Sequence, residues 1–226
     1  MKDTVLLLLE TSTESCSTVL SVGGKVIASG YCDRPKSHAS ILAVQISEVL
    51  AESGITIAEC DAVAVSEGPG SYTGLRVGVS TAKGLCFGSG KPLIAISTPQ
   101  ILAMAAVGKA EKIVALIDAR RMEAYCAVFD GKGAPLSSVE SIIFNKESFK
   151  ALLDESSVFF VGNAAAKLQG VINHPNAIFK QCNPLAEYMI IPATEAFTKK
   201  EFKDVAYFEP FYLKDFVAGI SKKKLL

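Results

Sequence analysis

Glu10-Thr11-Ser12 sets a carboxylate ahead of two hydroxyls, directly after the aliphatic run at 5–9. In a strand–turn–strand, such a turn can hold phosphate on its amides and hydroxyls, with the acid orienting a metal or serving as a base. The same hydroxyls can equally cap their own backbone. A second group lies in SEGPGSYTGLRVGVSTAKGL, residues 66–85. Gly68 and Gly70 permit positive φ or close backbone approach. Ser71 can cap the helix that follows, with Thr73 in its first turn, and a helix N-terminus attracts anions. The run is neither a Walker loop nor the dinucleotide fingerprint. A phosphate loop and a sharp strand-to-helix corner both fit it. Asp118-Ala119-Arg120-Arg121 offers cations to a phosphate or to a partner's acid, or is a solvated turn. Gly162-Asn163 suits a backbone approached by a nucleotide base, or a plain turn.

The elements that must carry these groups follow from periodicity. Strands are expected at 5–9, 17–22 and 25–31, with Gly23-Gly24 as a hairpin turn. A helix over 38–52 starts behind Ser37 as N-cap and ends at Gly54. A strand at 62–66 feeds the glycine-rich turn, and a helix over 72–87 leaves it. A strand at 92–96 leads to a helix opened by Pro99 and running to about 107. The second half restarts with strands at 113–117 and 123–129, a hairpin at Gly131–Gly133 and strand from 135 to 144. A helix at 146–153, a strand at 158–161 and a short helix come next. Asn183 caps a helix to about 200, which Pro192 kinks or splits. The aromatic tail from Phe202 is irregular, and Lys222-Lys223-Lys224 reads as a solvated end. The two halves echo each other, so two α/β lobes are expected, 1–100 and 101–226, with a cleft between them. The C-terminal segment is free to pack back on the first lobe.

Composition narrows the classes. The 226 residues are half hydrophobic and one fifth charged, which fits a folded globular chain. Lys+Arg and Asp+Glu both number 23, which argues against a basic nucleic-acid binder acting alone. No apolar run is long enough to span a bilayer, and no secretory signal is expected. Cys16, Cys32, Cys60, Cys86, Cys126 and Cys182 lie apart, without a C-x-x-C pair, and read as reduced thiols of a cytoplasmic protein. With only His38 and His174, a histidine-rich metal site is not expected.

On the helix after the glycine-rich turn, Gly74, Gly78, Thr81, Ala82 and Leu85 form one stripe at 100° per residue. Four of the five are small, so another backbone can approach closely. The preceding helix has its main apolar arc at Leu42, Ile46, Val49 and Leu50. Ile41 and Val44 fall outside it, beside Gln45. Spare apolar surface on two neighbouring helices suits half of a four-helix interface, and packing of the stripe into its own core stays open.

The runs LLLLETSTESCSTVLSVGGKVI, KSHASILAVQISEVL, DAVAVSEGPGSYTGLRVGVSTAKGL, PLIAISTPQILA and VALIDARRMEAYCAVF resemble the TsaB (YeaZ) family, strongly over about 4–130. FVGNAAAKL and YFEPFYLKDF continue the resemblance weakly. It implies an α/β, two-lobed actin/hexokinase/Hsp70-like (ASKHA) fold with a repeated βββαβα core and a reduced second lobe. It implies a scaffold or activator role beside TsaD, which moves threonylcarbamoyl from its adenylate to N6 of the adenosine next to the tRNA anticodon. TsaD carries two metal-binding histidines, and their places fall here on Thr98 and Leu102. No metal ligand and no catalytic residue are therefore expected on this chain. Glu10 stands where the family usually has Asp. Glu10, Thr11, Ser12, Gly68, Gly70, Ser71 and Thr73 then become a vestigial phosphate loop. Ile41, Val44, Gln45, Gly74, Gly78, Thr81, Ala82 and Leu85 become the partner interface. The implied partners are TsaD, the ATPase TsaE, tRNA through the complex, and a second copy of the chain when alone. No cofactor of its own is expected, with ATP or ADP at the complex interface left open. The alternative is an independent glycoprotease-like metallohydrolase or small-molecule kinase of the same superfamily.

Overall fold

The computed structural model describes residues 3–214. The first half contributes β1 (Val5–Glu10), β2 (Cys16–Val22), β3 (Lys25–Cys32), α1 (His38–Ser53), β4 (Ala62–Gly68), α2 (Tyr72–Ser89), β5 (Leu93–Ser97) and α3 (Thr98–Met104). The second contributes β6 (Lys112–Asp118), β7 (Glu123–Asp130), β8 (Glu140–Ile143), α4 (Lys150–Glu155), β9 (Val158–Val161), α5 (Ala165–Gln169) and β10 (Ala177–Lys180). A 3₁₀ turn at Ala186–Met189 then leads into α6 (Ile190–Lys199).

The strands form two five-stranded sheets, β3-β2-β1-β4-β5 and β8-β7-β6-β9-β10. In each sheet a central strand pairs antiparallel with the next strand in sequence and parallel with the strand after the crossover. The halves thus repeat one topology, the two-lobed actin/hexokinase/Hsp70-like arrangement. The second lobe is reduced in its helices. α1 and α2 have 16 and 18 residues, against 6 and 5 for α4 and α5.

β1 is buried along its whole length, which is why it reads as an unbroken aliphatic run. Its odd residues Val5, Leu7 and Leu9 face the core shared with α1 and α2. Its even residues Leu6 and Leu8 face the opposite core, with Ala186, Met189, Ile190 and Ala193 from the end of the chain. The segment 186–196 therefore closes the second face of the first sheet. α3 lies between the lobes: Ile101 joins that core, while Leu102 and Ala103, with Ala106 just beyond the helix, pack on the second sheet. α3 and the residues just after it fill part of the space between the two sheets, where a cleft was expected.

Several boundaries differ from the sequence reading, each for a local reason. Ser37 sits at the N-cap position but makes no side-chain cap. Its hydroxyl donates to Arg34 O at 2.6 Å. Pro192 lies in the first turn of α6, where a missing N–H costs nothing, so the chain breaks before the proline. Only Glu140–Ile143 of the 135–144 stretch forms a strand, because the successive amides of Leu136 and Ser137 both donate to Val128 O and interrupt the ladder there. β10 was not expected, and it pairs in parallel with β9. Lys222–Lys224 lies outside the described residues.

Met189 is fully buried under β1. Met189→Ala should cost about 2–5 kcal/mol in urea unfolding, in a single transition that includes the first sheet.

Candidate functional site

The β1–β2 turn and the glycine-rich loop meet directly. Ser71 N–H donates to Ser12 O at 2.6 Å, and Thr11 Oγ1 donates to Gly74 O at 2.9 Å. Thr11 N–H donates to Ser66 Oγ at 3.3 Å. A methyl group at Gly70 would overlap Ser12 O, one at Gly74 would overlap Thr11 O, and one at Gly78 would overlap Thr11 Oγ1. These glycines let the first turns of α2 rest on the turn's backbone. Ser71 caps α2 by accepting the Gly74 amide at 3.3 Å. Gly68 takes φ +110, and a side chain there would strike Phe211 O. Thr73 is exposed and stands apart from this contact.

Glu10, Thr11 and Ser12 are completely buried by this arrangement. Glu10 Oε1 accepts the Ser12 amide at 2.6 Å, while Oε2 and Ser12 Oγ are buried without a hydrogen-bond partner. Burial pushes the Glu10 carboxyl up to about 7, against smaller opposing contributions from Ser12 and Ser66. The turn amide that would greet a phosphate is spent on Glu10, and α2 covers the hydroxyls.

The corresponding turn of the second lobe is closed by charge. Lys167 Nζ lies 2.5 Å from Asp118 Oδ1 and also donates to Arg121 O. The Asp118 amide donates to Asn163 Oδ1 at 2.8 Å. Gly162 takes φ +130, and a side chain there would overlap Leu116 O. Thr98 and Leu102 are both fully buried, and Leu102 belongs to the core of the second sheet. Among the described residues, no group of three or more His, Cys, Asp or Glu could hold a metal ion.

The expected interface residues divide into two sets. Gly74, Gly78 and Ala82 face the interior of their own lobe, which corrects their placement on a free flank. Gln45 is buried too. Its Oε1 accepts the Thr18 hydroxyl at 3.4 Å, and its methylenes fill the space above Gly30. Ile41, Thr81 and Leu85 are half-buried, and Val44 is 50% exposed. The open glycines of α2 are Gly84 and Gly88, beside Phe87 at 86% exposure. The sequence reading passed over these three. The signal was an aromatic between two glycines on the polar side of the helix.

A strap of residues 203–214 covers another side of α2. Lys83 Nζ donates to Phe208 O at 2.9 Å and to Ala206 O at 3.2 Å. Phe211 N–H donates to Glu67 O at 2.7 Å, and the Tyr212 ring lies 4.9 Å from that of Tyr72. The surface of α2 left uncovered is therefore the side carrying Gly84, Phe87 and Gly88.

Comparison with known proteins now adds a finding. The family model described as "TsaD: tRNA N6-adenosine threonylcarbamoyltransferase" matches residues 33–222. The solved structure of YeaZ from Pseudomonas aeruginosa superposes with a TM-score of 0.83 at 30% identity, covering 93% of this chain and 100% of that one. The chain belongs to this family, on its TsaB (YeaZ) branch. The tRNA threonylcarbamoyladenosine biosynthesis protein TsaB of Escherichia coli is 29% identical over 94% of this chain and 96% of its own. The TsaB of Haemophilus influenzae is 42% identical over 55% of this chain and 53% of its own, about half the length of each.

Two measurements test the TsaB-like site. Gly78→Ala should destabilise the fold by roughly 3 kcal/mol through overlap with Thr11, and adding Thr11→Ala should recover a good part of that loss in a double-mutant cycle. For Glu10, the folded state binds the extra proton between pH 4.5 and 7, the ordinary and raised values. Stability attributable to this group therefore falls as pH rises through that window, by roughly 3 kcal/mol in all. Glu10→Gln should flatten this slope in denaturation curves taken from pH 4.5 to 8.

Proposed function

We propose that this chain is a supporting subunit rather than a catalyst in tRNA threonylcarbamoyladenosine formation. In this reading it docks onto TsaD, the subunit that transfers threonylcarbamoyl to adenosine, through the outer side of α1 and α2. The observation that carries the proposal is exposed apolar surface on these two helices, Val44 on one and Phe87 between open glycines on the other. Apolar groups left in water beside small residues suit close packing by a second helix pair. The buried Glu10 turn supports the same reading, since a substrate has no route to its carboxylate. Without TsaD, a second copy of the chain covers the same flank. TsaE and tRNA join through the complex, in the cytoplasm. The place for a nucleotide is the subunit junction and not this chain alone.

Val44→Asp combined with Phe87→Asp should weaken association with purified TsaD at least about 10-fold by calorimetry. Folding stability should stay within roughly 0.5 kcal/mol, because both side chains are exposed. Unchanged association would move the interface elsewhere. ATP turnover by the isolated chain, lost on Glu10→Gln, would favour the kinase reading instead.

A further inference from the structure

Cys16 and Cys32 are direct cross-strand partners at the end of the β2–β3 pair. Side chains of opposed residues on antiparallel strands share one face, with Cβ atoms about 4.5–5.5 Å apart. The contacts of the two sulfurs show which face it is. Cys16 Sγ points to Gln45 Oε1 at 3.5 Å, and Cys32 Sγ lies 3.5 Å from Ser37 Oγ. Ser37 is the N-cap residue of α1 and Gln45 lies two turns further along it, so the two thiols lie under the N-terminal half of that helix. Cys16 is fully buried, whereas Cys32 is partly open to solvent.

We propose that Cys16 and Cys32 form a reversible dithiol–disulfide pair, with Cys32 the site of attack by hydroperoxides. Disulfide formation needs Cβ atoms about 3.5–4.5 Å apart, which opposed strand residues reach with a small adjustment. The electrostatic setting separates the two roles. When Cys32 ionises, the Ser37 hydroxyl can turn its hydrogen from Arg34 O to the thiolate 3.5 Å away, and this bond, helped by Arg34, lowers the Cys32 thiol below its ordinary range. Burial raises the other five thiols, Cys16 to about 12. Cys32 is thus the one thiol among the six with both access and a favoured thiolate.

In the first step the Cys32 thiolate attacks one peroxide oxygen. The O–O bond breaks, hydroxide leaves, and Cys32 becomes a sulfenic acid. The Cys16 sulfur then attacks the sulfenic sulfur. The S–O bond breaks, and the hydroxyl leaves as water with the Cys16 proton. Two thiols lose two electrons, and the peroxide is reduced to two waters. Because Cys16 is buried and protonated, the second step is the slow one, and the sulfenic acid accumulates before the bridge closes. The bridge draws both sulfurs away from Ser37 and Gln45, on the helix whose outer side carries Ile41 and Val44. Any effect on partner docking rests on the function proposed above, whereas the bridge itself is read on the isolated chain.

The test treats the full-length reduced protein with a few equivalents of hydrogen peroxide under native conditions. Non-reducing peptide mapping should find the Cys16 peptide joined to the Cys32 peptide, and dithiothreitol should release them. Dimedone present during oxidation should label Cys32, and Cys16→Ser should raise the final label at least about fivefold by removing the resolving thiol. Cys32→Ser should abolish the bridge. A wild-type map without the joined peptides, with Cys32 equally labelled in both proteins, would overturn the proposal. So would a bridge from Cys32 to any other cysteine. The wild-type map needs no variant, so a poorly folding mutant does not spoil the result.

Discussion

The closeness with which α2 rests on the β1–β2 turn fixes much of the first lobe. Gly70, just before the helix, leaves room for the Ser12 carbonyl, Gly74 for the Thr11 carbonyl and Gly78 for the Thr11 hydroxyl. Each contact does two jobs. The Ser12 carbonyl is satisfied by the Ser71 amide, and the Gly74 carbonyl is satisfied by the Thr11 hydroxyl. An unmade bond at either buried group would cost about 1–3 kcal/mol, so any side chain that lifted the helix would carry more than a packing penalty. The seal also isolates Glu10 from water, and its raised pKa is a direct consequence.

This constraint explains what could be read in the sequence and what could not. β1 announced itself because burial on both faces demands an unbroken apolar run. The hairpin at Gly23-Gly24 was legible because both residues take positive φ, 56° and 80°. The glycine stripe of α2 was legible as a close approach, but spacing alone does not name what approaches. A turn of the same lobe and a foreign helix ask for the same small residues. The turn fills that place here, so the expected flank shifts to Val44, Gly84, Phe87 and Gly88. Gln45 misled for a related reason. Its amide sits under the sheet because Gly30 gives it room and Thr18 gives it a hydrogen bond, and neither is a neighbour in sequence. β10 escaped notice because four residues, Ala177–Lys180, alternate too briefly to stand out, and their pairing with β9 is non-local.

The two lobes solve one problem with different chemistry. Each has a turn between its first two strands, and each has a glycine at the end of the strand that pairs in parallel with the first. In the first lobe, backbone-to-backbone contact closes the turn. In the second, the Lys167–Asp118 pair and the Asn163 side chain occupy it. The glycines Gly68 and Gly162 are in positive φ, and a side chain on either would strike a carbonyl, of Phe211 and of Leu116. The two glycines hold equivalent places in the topology, but Gly68 is approached by the C-terminal strap and Gly162 by the central strand β6.

The supporting-subunit proposal gains its force from how the remaining surface is apportioned. Over its central strands the first sheet is covered on one face by α1 and α2 and on the other by the segment 186–196, while the edge strand β3 keeps Ile27 and Tyr31 exposed. The strap of 203–214 then takes a further side of α2, held by two Lys83 hydrogen bonds to its carbonyls. Covering that side pins the helix without consuming its outer surface. A chain that needed α2 only as a core element would have little reason to leave Phe87 in water, with glycines one position after it and three before. The exposed ring lies on a helix whose position is set from two other directions, by the turn beneath it and the strap beside it. Such a helix can present an apolar side chain without collapsing onto it, which is the mechanical requirement of a preorganised docking surface.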